Sequence, residues 1–199
     1  QMSEIKVNKV SPATGTAITL GDSGDTFTVP SGATIVNSGT ATGFGGGKVL
    51  QIQSSLTSAY ASTTATIPMD DTIVQNTEGA ELVTLSSTAL SSASKLLFIY
   101  GGNFNTATGG GQVQPLMAAM FVDTTADCLN SCVLMVDGGG GRCGAAWVYH
   151  LESNSSTSSR TYKMRWGGNS GTRYVSGDTS ARLFGGKLNS GFYVIEFEN

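Results

Sequence analysis

Arg160-Thr161-Tyr162-Lys163-Met164-Arg165-Trp166 alternates residue by residue. Successive side chains of a strand point to opposite faces. Tyr162, Met164 and Trp166 therefore share one face, expected in a core, and Lys163 and Arg165 share the other, expected in water. Gly167, Gly168, Asn169, Ser170 and Gly171 follow, which is turn chemistry, and Thr172, Arg173, Tyr174 and Val175 resume the strand pattern. This predicts a hairpin. A second hairpin is predicted upstream, where residues 137–141 (DGGGG) join CVLMV at 132–136 to RCGAAWVYHL. In that partner strand Trp147, Tyr149 and Leu151 share a face expected in the core, with Val148 and His150 opposite.

Further strand patterns lie at residues 48–53, 58–67, 81–85, 95–100, 113–123, 143–151, 181–184 and 191–198. Helix is expected for no more than a turn or two, within residues 117–120 or 88–95. About eight to ten short strands, spaced roughly 10–15 residues apart by turns, predict an all-β fold, a sandwich of the jelly-roll type.

Composition points the same way. The chain has 27 Gly, 24 Ser and 24 Thr among 199 residues, and only 13% of it is charged. It is poor in long-helix formers, which argues against helical bundles and common α/β enzymes. A net charge of -3 argues against a nucleic-acid partner. No apolar run reaches the length of a membrane span, so no membrane insertion is expected. Gln1 before Met2 reads as an appended residue, and no apolar signal core follows, which predicts synthesis in a cytosol. Charge is uneven: seven of the 11 basic residues, but only four of the 14 acidic ones, lie beyond residue 141. A mildly basic distal region suits an acidic glycan or a charged cell envelope, and equally a solvated face.

Residues 1–47 read differently from the rest. They hold no Trp, Tyr or Cys. Alternating pieces such as Thr26-Phe27-Thr28-Val29 are cut by GDSGD at 21–25 and PSGA at 30–33, which are turn signals. Such pieces are too short to bury a core within one chain and become stable when several chains bury their apolar positions together. TATGFGGG at 40–47 is linker-like. The expected organisation is an extended, short-stranded stem or arm and linker over 1–47, then a β-sandwich head over 48–199.

Catalytic and metal-ligating signals are weak. His150 is the single histidine and reads as an ordinary strand residue. No serine sits in a Gly-x-Ser-x-Gly elbow, and Asp70-Asp71 reads as a turn cap. Cys128, Cys132, Cys143 and His150 match no familiar zinc spacing, so free, paired and metal-bound cysteines stay open. The glycines before Lys48 lack the Gly and the Ser or Thr of a phosphate loop. The expectation is no enzyme, no cofactor and no metal.

Two stretches carry a resemblance: Ser3-Glu4-Ile5-Lys6-Val7-Asn8-Lys9-Val10 with AITLGDSGDTFTVPSGATIVNSGTATGF, and IPMDDTIVQNTEG at 67–79 leading into ELVTL. They resemble structural proteins of tailed bacteriophages, of the aquatic-phage tail-fibre type. The resemblance implies a virion location, a homotrimeric stem attached to other virion proteins, and a head that binds a host-surface glycan or protein. It supplies no catalytic residues. The alternative it leaves is a capsid decoration or cement protein, or a head fibre. A carbohydrate-binding or TNF-like module and a polysaccharide-cleaving tailspike rank lower. On the fibre reading, receptor contact is expected at the loops 153–159, 167–172 and 137–141, through Arg165, Arg173 and Tyr174.

Overall fold

The alternation at 160–166 forms a strand with Tyr162, Met164 and Trp166 buried. The computed structural model describes residues 8–39, 48–106, 113–137 and 143–199. These fall into two separate units, each treated by itself.

In the second unit the strands are β1 (Val49–Thr57), β2 (Ala61–Thr63), β3 (Ala80–Thr88), β4 (Lys95–Thr106) and β5 (Val113–Val122). They continue with β6 (Asn130–Asp137), β7 (Cys143–Ser153), β8 (Ser159–Gly168), β9 (Arg173–Val175) and β10 (Ser190–Phe197). One sheet runs β3-β8-β5-β6. The other runs β1-β10-β4, with β7 on the far side of β4 and the short β9 and β2 beyond the end of β10. All strand pairs are antiparallel. The order β1-β10-β4-β7 facing β3-β8-β5-β6 is a jelly roll, an all-β sandwich.

The core lies between the sheets. Phe98, Tyr100 and Phe104 of β4 and Phe192 and Val194 of β10 meet Leu116, Met120, Tyr162, Met164 and Trp166 from the other sheet. Phe98 packs on Tyr162 at 4.7 Å between ring centres, and Phe104 on Trp166 at 5.8 Å. Burying side chains of this size contributes on the order of 1.5–3 kcal/mol each.

A carboxylate sits at one edge of that core. Glu196 of β10 points inward and is fully buried. It accepts hydrogen bonds from the Ser94 hydroxyl (2.7 Å), the Leu90 and Ser91 N–H groups (2.8 and 2.9 Å) and the Gln51 amide. Burial pushes its carboxyl up, but the donors outweigh burial and hold it below the usual range. Asn154 adds a bond to the Ser91 carbonyl. One buried acid thus anchors the β3–β4 connection to the last strand.

Several expectations need correction. Neither predicted hairpin exists. β6 pairs with β5 and β7 with β4, so residues 138–142, which lie outside the described residues, join the two sheets. β8 and β9 likewise belong to different sheets. Glycine-rich turn chemistry reads the same whether a chain folds back or crosses over. Residues 117–120 are strand, buried in β5, and only 61–63 of the predicted strand at 58–67 pairs. Residues 181–184 do not form a strand. Phe184 and Gly185 take positive φ (48° and 61°) and start a single 3-10 turn, which ends extended structure there.

In the first unit, residues 8–39 form neither helix nor strand. Both predicted turns close: Asp25 N–H donates to the Asp22 carbonyl (3.0 Å), and Ala33 N–H to the Pro30 carbonyl (3.0 Å). The alternating pieces pair with no strand among the described residues, and their apolar side chains are exposed, Phe27 at 69% and Val36 at 81%.

Candidate functional site

The predicted contact residues do not form one site. Arg173 is buried, with 1% of its surface accessible. Its Nε donates to the Pro115 carbonyl (3.0 Å), Nη1 to the Thr172 carbonyl (3.2 Å) and Nη2 to Gln114 Oε1 (3.2 Å). No carboxylate among the described residues pairs with it, and burial lowers its pKa. The guanidinium packs on Gly168, where an added Cβ would lie 2.4 Å from Nε. Arg173 is therefore a structural cation, not a contact residue. Parity accounts for this: Val175 alternates into the core, and Arg173 follows the same parity.

Tyr174 has the opposite parity and faces out of the six-stranded sheet. It stacks on Tyr60, with ring centres 6.1 Å apart and planes within 10°. Arg165 lies on the outer face of the other sheet. The predicted loops are divided too. Residues 153–159 precede β8 and residues 167–172 follow it, so they sit at opposite ends of the sandwich. Asp137 and Cys143, which flank 138–142, lie at the 167–172 end.

Arg165 borders a shallow cleft of about 240 Å3 on the outer face of the four-stranded sheet. Asn76, Phe121, Asp123, Thr124 and Lys163 line it as well. β8 supplies both cations because Lys163 and Arg165 share its outward parity. The segment carrying Asn76 folds over this sheet: Gln75 bridges Asp127, and the Asn76 amide donates to the Thr125 carbonyl (2.8 Å). Arg165 is braced by bonds from Nε to the Glu78 carbonyl and from Nη2 to the Gly79 carbonyl, both 2.6 Å. Lys163 is only loosely held, 4.0 Å from Glu81. Asp123 accepts from the Thr161 N–H (2.8 Å) and pairs with Arg160 (3.2 Å). The Thr161 N–H holds its carboxyl below the usual range against a smaller push from burial, and Arg160 adds to it. The cleft thus offers one fixed and one mobile cation, beside an ionised carboxylate whose charge is already met. Sequence parity identified the cations, but nothing local pointed to Asn76 or Thr124, which arrive through distant loops.

The outer face of the six-stranded sheet is different. Trp147 (42% exposed), Tyr149 (64%) and Leu151 project into solvent, opposite to expectation, while Ala146 and Val148 face the core. The register continues their rows across the sheet. Leu151, Leu97, Ile195 and Ile52 form one row. Tyr149, Ile99, Tyr193 and Ser54 form the next, and Trp147, Gly101, Gly191 and Leu56 a third. Ser153, Lys95, Phe197 and Val49 close the face at one end. Lys95 is the single charged residue in these four rows. Apolar residues on both faces defeat any inference about which one is buried.

The three cysteines carry free thiols. Among the described residues, no three His, Cys, Asp or Glu side chains gather as a metal site would require.

No family model matches the chain, and no curated protein matches it. Among solved structures, the chain is similar to the CBM22-1 xylan-binding domain of Paenibacillus barcinonensis Xyn10C. The two share 15% identity at a TM-score of 0.35, over 77% of this chain and 97% of that one.

Proposed function

We propose that the chain is a virion structural protein of the tail-fibre type. It binds rather than catalyses: the N-terminal segment joins three copies to one another and to the particle, and the head meets a host-surface glycan or protein. The observation that carries this reading is the segment 8–39, which pairs with no strand among the described residues and exposes apolar side chains along its length. A single chain leaves that surface unfinished, and bundled copies complete it. On the head, the cleft beside Lys163 and Arg165 offers two cations and polar groups to an acidic glycan. A shallow site of this kind binds weakly, and three copies on one stem raise the avidity.

Sedimentation equilibrium on the full chain tests the reading. A mass of three chains is expected, and a monomer overturns it. Antibody labelling of the particle is expected at the tail, and label over the capsid surface replaces the fibre reading with capsid decoration. In adsorption competition, the soluble chain is expected to block particles, and Lys163→Ala with Arg165→Ala to weaken that block about tenfold, one order being the usual worth of a lost charged contact. An undiminished block removes the cleft from the reading.

A further inference from the structure

The opposite face of the head carries its own message. Its four rows hold eleven apolar side chains, two glycines, two serines and Lys95. The other sheet presents Glu81, Lys163 and Arg165 to solvent in the same span of strands. A molecule that keeps charge on one face and excludes it from the other leaves the second face for a dry contact.

We propose that this face packs against the same face of other copies of this chain, head to head. The inference rests on the multi-chain reading above and names the surface through which the heads meet. Three observations select a second copy over other occupants. Seven of its eleven apolar side chains are aliphatic, and Ile52, Ile195, Leu97 and Leu151 fill one whole row from β1 to β7. Sugar rings bind through aromatic planes framed by dense hydrogen-bonding groups; Trp147, Tyr149 and Tyr193 supply planes here, but the aliphatic row beside them supplies no such groups and buries against other side chains. Charge on the face is confined to Lys95 in the end row, so the other three rows meet a copy of themselves without like-charge repulsion, which a self-contact requires. Finally, β1 edges the face and is the first strand after the N-terminal segment. Bundled N-terminal segments therefore deliver the β1 strands of all copies to one neighbourhood.

The area decides how strong the contact is. Four strands about 4.8 Å apart, over seven residues at about 3.3 Å each, span roughly 440 Å2. Stable interfaces bury about 800 Å2 per partner. The head contact is thus secondary to the N-terminal one and closes only when copies are already tethered.

Trp147 lies in this face and Trp166 in the core, so acrylamide quenching of the full chain, with Trp147→Phe subtracted, reads the face directly. Shielding of Trp147 is expected, with a quenching constant at least threefold below that of Ile52→Lys combined with Leu151→Lys. That variant is expected to keep its circular dichroism and its oligomeric mass. Ile52→Lys alone is a second, milder variant. An oligomer whose Trp147 quenches freely overturns the inference and leaves the multi-chain reading standing, as does shielding that neither variant relieves. Shielding that appears only on adding a polysaccharide assigns the face to a glycan and overturns it too. A monomeric wild-type chain overturns the parent reading, and the inference falls with it.

Discussion

Glu196 and Arg173 are both buried, and among the described residues neither has a partner of opposite charge. Each is satisfied instead by dipoles, which makes each a structural group with its own signature. Glu196 has its carboxyl held low in the folded state. Its stabilisation is therefore complete above the ordinary carboxyl range and drains as pH falls through the lower folded value. Chemical denaturation at a series of pH values should show a loss of stability setting in below about pH 4. Glu196→Gln should lower stability by about 2 kcal/mol at neutral pH and flatten that acid limb. Arg173→Ala should lower it by about 3 kcal/mol, because the Pro115 carbonyl loses its donor and a cavity opens beside Gly168. Thermal melts check both. Arg165→Ala, at the cleft, should lower stability by about 1–2 kcal/mol, less than Arg173→Ala, because the Glu78 and Gly79 carbonyls lose their donor where water can replace it. The contrast between the two arginines separates a partly exposed cation from a buried one.

At the scale of the element, β4 carries the six-stranded sheet, with β7 along one side and β10 and β9 along the other. Gly101 is its pivot. It sits at φ 155°, where an added Cβ would fall 1.9 Å from the Ala146 carbonyl oxygen. Gly101→Ala should therefore break the β4–β7 ladder and lower the melting temperature by about 10 °C or more, a shift worth several kcal/mol. Amide exchange along Cys143–Ser153 should speed up first. Legibility also divides by element. β8 was readable because its outward residues are charged, so the alternation itself says which face is wet. β7 was not, because Trp147, Tyr149 and Leu151 alternate with Ala146, Val148 and His150, which mark neither face as clearly wet, and parity gives two faces without ranking them. The jelly roll was readable from strand spacing and turn chemistry. The partner of each strand was not, because pairing is set by distant chain. The cleft was half readable: its cations share a strand, while Asn76 and Thr124 come from elsewhere.

At the scale of the molecule, two apolar surfaces stand open, one along residues 8–39 and one on the head. Both are sparsely charged, so an assembly built on them should resist salt. The sedimentation mass should stay the same between about 0.05 and 1 M sodium chloride, a range over which screening removes exposed ionic contacts. A mass that falls with salt would show that charge holds the copies together.

The position of β10 has a further consequence, one of timing. It lies between β1 and β4, although β1 is synthesised before every other strand of the head and β10 after them. As the chain emerges, β1 and the neighbouring side of β4 wait with bare edges while the rest is made. Such long-range closure is slow, and bare edges invite strands from adjacent nascent chains. Chains made close together on one message are thus exposed, for a while, to exchanging their final strands before each has closed its own sheet.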